Sequence, residues 1–275
     1  WGQAIIPEGK TLMRDYAFPA MMQCDCNIIE FSEKGVDLGM NGGFCYAVGK
    51  PIYVIAKTNS DISTTMENIA TEIIFYDNPE DLVEPFTRIA KSFPRVILAS
   101  KSAVRKQQLI DESIPFEVIV SNADETPNKS KSFKNQLAEI SMRKAKTVFE
   151  ATIDRGLRLI IAADQNIVFD NVMYGKPKSI DDARNLIMKM MGSEEVYAYT
   201  GNSVLLAEGD TILQSINITD VARMSVDEIT NDELESYLAN GKCLTYCGGI
   251  SISNSNFIHL KEGRMSTARG MTLEY

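Results

Sequence analysis

Apolar and polar positions along the 275 residues fall into two successive series of strand and helix signals. In the first, positions 13–22 read as a helix that leads into a short strand at 27–31. A second helical pattern at 41–48 stops at Gly49-Lys50-Pro51, and an apolar strand follows at 52–56. Helix at 62–70, strand at 72–76 and helix at 80–92 complete the series. This βα alternation predicts a parallel sheet covered by helices, with Phe93-Pro94 as the linker that ends it. The second series opens on the buried-strand pattern Val96-Ile97-Leu98-Ala99, which runs through Ser100-Lys101-Ser102 into a helix carrying Arg105-Lys106. Further on, the apolar strand at 159–164 ends on Asp164, Gln165 follows, and 166–169 forms a second β-like run before a turn at Asp170-Asn171. Tyr174-Gly175-Lys176-Pro177-Lys178 precedes a helix opening at Ser179, with Asp181 and Asp182 in its first turn. No internal repeat or low-complexity tract interrupts either series.

Two of these junctions can carry chemistry. A strand, a polar turn and a helix N-terminus aim free backbone N–H groups and the helix dipole at one point, which favours an anion. Cations at such a turn in an acidic chain point to a phosphorylated ligand. An ordinary solvated first turn fits the same residues equally well. A carboxylate at a strand end near a Gly-Lys-Pro turn suits metal-assisted phosphate chemistry, with Asp164 holding Mg²⁺ or orienting water and Lys176 neutralising charge. A capping aspartate and a surface lysine are the plainer reading of each residue alone. Met188, Met190 and Met191 read as core or domain-interface packing. Asp227-Glu228 and Asp232-Glu233 read as the N-terminal charge of a helix ending near Asn240-Gly241, and His259 as a structural histidine.

Composition narrows the field. The length suffices for two domains, and the apolar fraction of 44% is ordinary. A net charge of −9 argues against nucleic acid or an anionic membrane as the main partner. No run is apolar enough to span a bilayer, and no basic-plus-apolar leader opens the chain. The chain begins at Trp1 rather than Met, which implies a natural N-terminus upstream or processed away. The five cysteines (Cys24, Cys26, Cys45, Cys243 and Cys247) are odd in number and lack zinc spacing, so reduced structural thiols in a cytoplasmic protein are expected.

From residue 95 onward the chain resembles the Maf family of nucleoside triphosphate pyrophosphatases. The landmarks stand in order: Ala99-Ser100-x-Ser102 with Arg105, Ile114-Pro115-Phe116-Glu117, Asp124-Glu125-Thr126-Pro127, Ala138 with Lys144-Ala145, Ala163-Asp164, Gly175-Lys176-Pro177, Asp182-Ala183-Arg184, Tyr199-Thr200-Gly201, then Tyr237 and Gly248-Gly249. The resemblance implies hydrolysis of a nucleoside triphosphate between its α and β phosphates. It further implies Asp164 as general base or water-orienting group, and Glu125 as its partner on a divalent cation, Mg²⁺ or Mn²⁺. Ser100, Ser102, Arg105, Lys144 and Lys176 would contact the triphosphate, and Gln165 the rest of the substrate. A homodimer is implied as well. The chain departs from the family where Ala103 and Val104 replace Pro and Arg. Gln165 stands where members acting on dTTP and UTP have Thr, and Ser253 stands where a base-reading Gln or Glu is expected.

The first 93 residues resemble the nucleoside 2-deoxyribosyltransferase family through Arg14-Asp15, Asp25, Gly39, Gly43, Ala47 and Gly49-Lys50-Pro51. The family's nucleophilic glutamate would fall at Asn41, and an amide cannot form the glycosyl ester. The family's opening strand and glycine-rich loop would precede Trp1. The expectation is therefore an α/β chain of two domains. Residues 1–93 would form a parallel-sheet, Rossmann-like or flavodoxin-like domain inactive as a transferase. Residues 95–275 would form a Maf-like mixed, strongly curved sheet with surrounding helices and a cleft where Ser100, Arg105, Glu125, Asp164 and Lys176 converge. The expected activity is pyrophosphate release from modified or non-standard nucleoside triphosphates. The rival readings are a nucleotide-binding regulator without turnover and a deoxyribosyltransferase or nucleotide glycosidase.

Overall fold

The computed structural model describes residues 16–153 and 156–273. Arg14-Asp15 and the start of the first expected helix lie outside them. The chain divides into two compact units, Trp1–Phe93 and Pro94–Tyr275.

The first unit holds a three-stranded parallel sheet in the order β1 (Asn27–Glu30), β2 (Ile52–Lys57), β3 (Glu72–Tyr76). Strand β2 shows why the sheet is covered on both faces. Its Ile52, Val54 and Ala56 pack with Ile29, Cys45 and Met66, while the alternate Tyr53 and Ile55 pack with Ile74 and Ile89. The first set engages helices α2 (Val36–Ala47) and α3 (Thr64–Ile69), and the second engages α4 (Val83–Lys91); α1 is Phe18–Gln23. Helix α2 starts at Val36, earlier than the 41–48 pattern predicts. Gly39, Gly42 and Gly43 weaken the local helix signal, and packing of Leu38 and Cys45 against the sheet overrides it.

The second unit holds a seven-stranded mixed sheet in the order β10-β9-β8-β6-β4-β5, with β7 also paired to β6. Its strands are β4 (Arg95–Leu98), β5 (Glu117–Val118), β6 (Arg158–Phe169), β7 (Val172–Tyr174), β8 (Ser193–Glu208), β9 (Thr211–Val226) and β10 (Ile258–Glu262). Strands β4, β5 and β6 run parallel, and the remaining pairings are antiparallel. The helices are α5 (Ala103–Asp111), α6 (Phe133–Glu150), α7 (Ile180–Met190), α8 (Asn231–Leu238) and α9 (Met265–Arg269).

Two expectations are corrected here. Positions 159–169 form one continuous strand, not two runs, because β8 pairs with β6 without a break from Arg158 to Val168. Asp164 is therefore in mid-strand, opposite Gly201. On the other edge of β6, however, β4 pairs only as far as Ile161, and β7 pairs only from Ile167 onward. The backbone of Asp164, Gln165 and Asn166 lies in the gap between those two partners, and this gap is the floor of a cleft. Second, the helix after Asp227-Glu228 begins only at Asn231, capped by Thr230 and Glu233. Asp227 instead pairs with His259 Nε2 at 2.8 Å, which places that histidine in a surface contact.

Helix α6 sinks against the sheet at Gly201. A β-carbon there would lie 2.3 Å from the carbonyl oxygen of Leu137. Leu137 shares a buried stripe with Gln136, Ile140, Ser141, Lys144, Ala145 and Val148, so Gly201 sets the depth of the whole helix. Gly201→Ala is expected to destabilise the protein by about 1–3 kcal/mol, the usual range for overpacking a filled core. It should also displace Lys144 from Asp164. Denaturant unfolding of the variant checks the first effect, and a melting midpoint equal to wild type would contradict it.

Candidate active site

Period-two alternation in β6 sends adjacent side chains to opposite faces of the sheet. Ile160 and Ala162 join the cluster beneath α6, so Asp164 emerges on the α6 face. Ile161 and Ala163 join the other face with Leu98, Leu109 and Met271, and Gln165 follows them. Lys144 rises from the buried stripe of α6 and donates to Asp164 Oδ1 at 2.6 Å. Its ammonium also lies 3.1 Å from Glu125 Oε1, so one cation holds both carboxylates. The Lys144 side chain is 9% exposed and that of Asp164 14%, whereas Glu125, at 61%, reaches in from the loop before α6.

Across the cleft, Ser102 caps α5 by accepting from the Arg105 N–H at 3.4 Å, as the strand–turn–helix pattern predicts. Ser100 accepts from the Ser102 N–H at 3.2 Å and from Arg105 Nη1 at 3.3 Å. Arg105 Nε donates to the carbonyl of Gly270 at 2.8 Å. A guanidinium has five N–H groups. Only those to Gly270 and Ser100 find acceptors among the described residues, and no carboxylate pairs with this arginine there. Burial lowers its pKa, opposed by the charges of Asp164, Cys247 and Glu125.

All eight of the residues singled out from sequence (Ser100, Ser102, Arg105, Glu125, Lys144, Asp164, Gln165 and Lys176) line one cavity of about 510 Å³. Lys176 is held over it by the Gly248 N–H, which donates to the Gly175 carbonyl at 2.8 Å. Gln165 lines the cavity too, but its amide nitrogen is engaged by Thr200 Oγ1 and the Thr267 and Ala268 carbonyls at 2.9–3.2 Å. Val104 and Ser253, the departures noted above, border a smaller recess of about 70 Å³ that shares Arg105, Gln165 and Lys176 with the main cavity.

Cys247 belongs to this site, although its sequence signal was only that of a structural thiol. It lines the cavity and donates to the Gln165 carbonyl at 2.9 Å. Burial, reinforced by Asp164, pushes it up to about 11. The raised folded value favours the neutral thiol. Its contribution to stability is full below pH 9 and is lost as pH rises toward 11. At pH 8 Cys247 is expected to react with iodoacetamide at least ten times more slowly than the exposed Cys24, read by peptide mass spectrometry. Equal rates would contradict the burial argument.

Glu125 and Asp164 supply hard oxygen donors no farther apart than their two bonds to one ammonium allow. No third His, Cys, Asp or Glu completes a metal-binding group among the described residues. That pair fits Mg²⁺ or Mn²⁺ of the kind that takes one or two carboxylates and completes its shell with phosphate oxygens and water.

Residues 95–275 match the family of Maf-like proteins. The dTTP/UTP pyrophosphatase of Bacillus cereus strain B4264 is 27% identical over 182 residues, covering 65% of this chain and 90% of that protein. The dTTP/UTP pyrophosphatase of Clostridium beijerinckii is 32% identical over 173 residues, covering 62% and 88%. That of Bdellovibrio bacteriovorus is 26% identical over 185 residues, covering 66% and 94%. Among solved structures, the Ham1 protein of Staphylococcus aureus is similar at a TM-score of 0.31 and 14% identity, covering 48% of this chain and 71% of that one, which is too distant to carry an argument. Through residues 95–275, which hold the whole cleft, the chain belongs to the Maf-like protein family.

Proposed function

We propose that the second unit hydrolyses nucleoside triphosphates to the monophosphate and pyrophosphate. The observation that carries this reading is the half-buried Arg105, which has no carboxylate partner among the described residues and faces the same cavity as the Asp164–Lys144–Glu125 cluster. A partly enclosed cation with free N–H donors and no ion-pair partner suits an anion, and a carboxylate pair beside it supplies a base and a metal seat. The relatives' activity on dTTP and UTP supports the same reaction class.

In this reading Arg105, Lys176 and the Ser100–Ser102 turn hold the triphosphate. Asp164 orients a water molecule and takes its proton as the oxygen attacks phosphorus, and the bond to the pyrophosphate group breaks. Lys144, through its hydrogen bond to Oδ1, holds Asp164 aimed. When bound by Glu125 and Asp164, Mg²⁺ or Mn²⁺ would neutralise charge on the transferring phosphate. Gln165 departs from the pattern for dTTP and UTP, and Val104 and Ser253 depart from the wider family pattern, so the substrate we propose is a modified or non-standard nucleotide. We read the first unit as a ligand-binding, regulatory or assembly element in a cytoplasmic protein, with Asn41 unable to act as a glycosyl nucleophile.

The test is pyrophosphate release from a panel of ordinary and modified nucleoside triphosphates, with and without Mg²⁺ or Mn²⁺. Metal-dependent release from at least one is expected. Tight nucleotide binding without release would support the regulator reading instead, and free base would support the transferase or glycosidase reading.

A further inference from the structure

The segment Ser266–Thr272 presents its backbone as a row of acceptors to side chains that line the cleft or pack behind it. Gln108 Nε2 donates to the Ser266 and Met271 carbonyls at 3.1 and 2.9 Å. Gln165 and Thr200 share the Thr267 carbonyl, each at 2.9 Å, and Gln165 also reaches Ala268 at 3.2 Å. Arg105 Nε takes Gly270 at 2.8 Å. The segment is anchored from the other side. Asn202 accepts from the Thr272 N–H at 3.0 Å, Thr267 and Thr272 share a hydroxyl contact of 2.8 Å, and Met271 is buried in the core.

These bonds bear on two cavity-lining side chains in a specific way. With Nε fixed on Gly270 and one Nη1 hydrogen on Ser100, the remaining Nη hydrogens of Arg105 are left for an anion in the cleft. With its nitrogen held by three acceptors, Gln165 can turn only its carbonyl oxygen toward a ligand. Gly270 stands where both constraints meet. Its φ is +106°, and a β-carbon on it would lie 3.1 Å from Gln165 Oε1 and 3.8 Å from Arg105 Nε. A side chain there would strain the backbone whose carbonyl holds Arg105 Nε and would crowd Gln165 Oε1, while Arg105 Nε itself would be in ordinary contact.

We propose that Ser266–Thr272 is a clasp that orients the phosphate-binding side of the cleft, and that Gly270 is a positioning residue acting through Arg105. This rests on the pyrophosphatase reading above. It predicts that Gly270→Ala weakens triphosphate binding through Arg105 rather than through general loss of fold.

The test is a double-mutant cycle on binding of inorganic tripolyphosphate with Mg²⁺, by calorimetry, in wild type, Gly270→Ala, Arg105→Lys and the double variant. The control is Gly209→Ala. It also places a side chain at positive φ (+55°) but has nothing within 4 Å of the new β-carbon. Each of the two single variants in the cycle should bind at least tenfold more weakly than wild type, the double variant no more weakly than Arg105→Lys alone, and Gly209→Ala like wild type. Additive losses, wild-type binding by Gly270→Ala, or an equal loss in Gly209→Ala would overturn the clasp while leaving the pyrophosphatase reading intact. Failure of wild type to bind tripolyphosphate, together with no pyrophosphate release from the nucleotide panel, would overturn both.

Discussion

Asp164→Asn should lower kcat for pyrophosphate release by about 10²–10⁴, the usual contribution of a positioned general base. The substitution keeps shape and removes both the proton acceptor and one of two metal-binding carboxylates. Its effect should fall on turnover rather than on nucleotide binding. Arg105 and Lys176 are untouched, and a negative charge has been taken away from the neighbourhood of the phosphates. Steady-state kinetics with nucleotide-binding calorimetry separates the two quantities. Turnover within tenfold of wild type would remove Asp164 from the chemistry.

Lys144→Met should be almost as damaging, for a different reason. The ammonium is buried and touches both Asp164 and Glu125. Removing it leaves two carboxylates facing each other without the cation that bonds to both, and Asp164 is the more enclosed of the two. Loss of one member of a buried ion cluster costs about 3–5 kcal/mol in general. The open side of Glu125 limits that here, so a loss of about 2–3 kcal/mol is expected. Turnover should fall about 10²-fold as Asp164 loses its aim and the site loses a cation for the transition state. Because the two residues act as a unit, adding Lys144→Met to Asp164→Asn should cost little more than Asp164→Asn alone. Fully additive effects would mean that Lys144 does not act through Asp164.

Much of this site could be read from residues whose chemistry contradicts their setting. Asp164 interrupts an apolar strand, whereas Lys144 was legible only through the family resemblance, which implied a triphosphate contact and not its bonds to Asp164 and Glu125. A charge in that strand needs a partner, and Lys144 is it. The strand–turn–helix at Ser100–Arg105 was legible for a similar reason, since Ser102 caps the helix as its pattern requires. What could not be read depends on contacts distant in sequence. The continuity of β6 through Asp164 is imposed by β8, and the gap that exposes Asp164 is set by where β4 and β7 stop. Gly201 is visible as a residue but not as the seat of α6. The role of Ser266–Thr272 is carried by backbone carbonyls, which leave no mark in side-chain patterns. Cys247 gave only a thiol signal, and its place beside Gln165 follows from a turn 82 residues away in sequence.

Phosphorus-31 NMR of the products formed by the wild-type protein with Mg²⁺ and the best nucleoside triphosphate of the panel tests the central claim most directly. The account predicts equimolar nucleoside monophosphate and pyrophosphate, with no orthophosphate and no nucleoside diphosphate. A diphosphate with orthophosphate, or a triphosphate left intact while base is released, would contradict it.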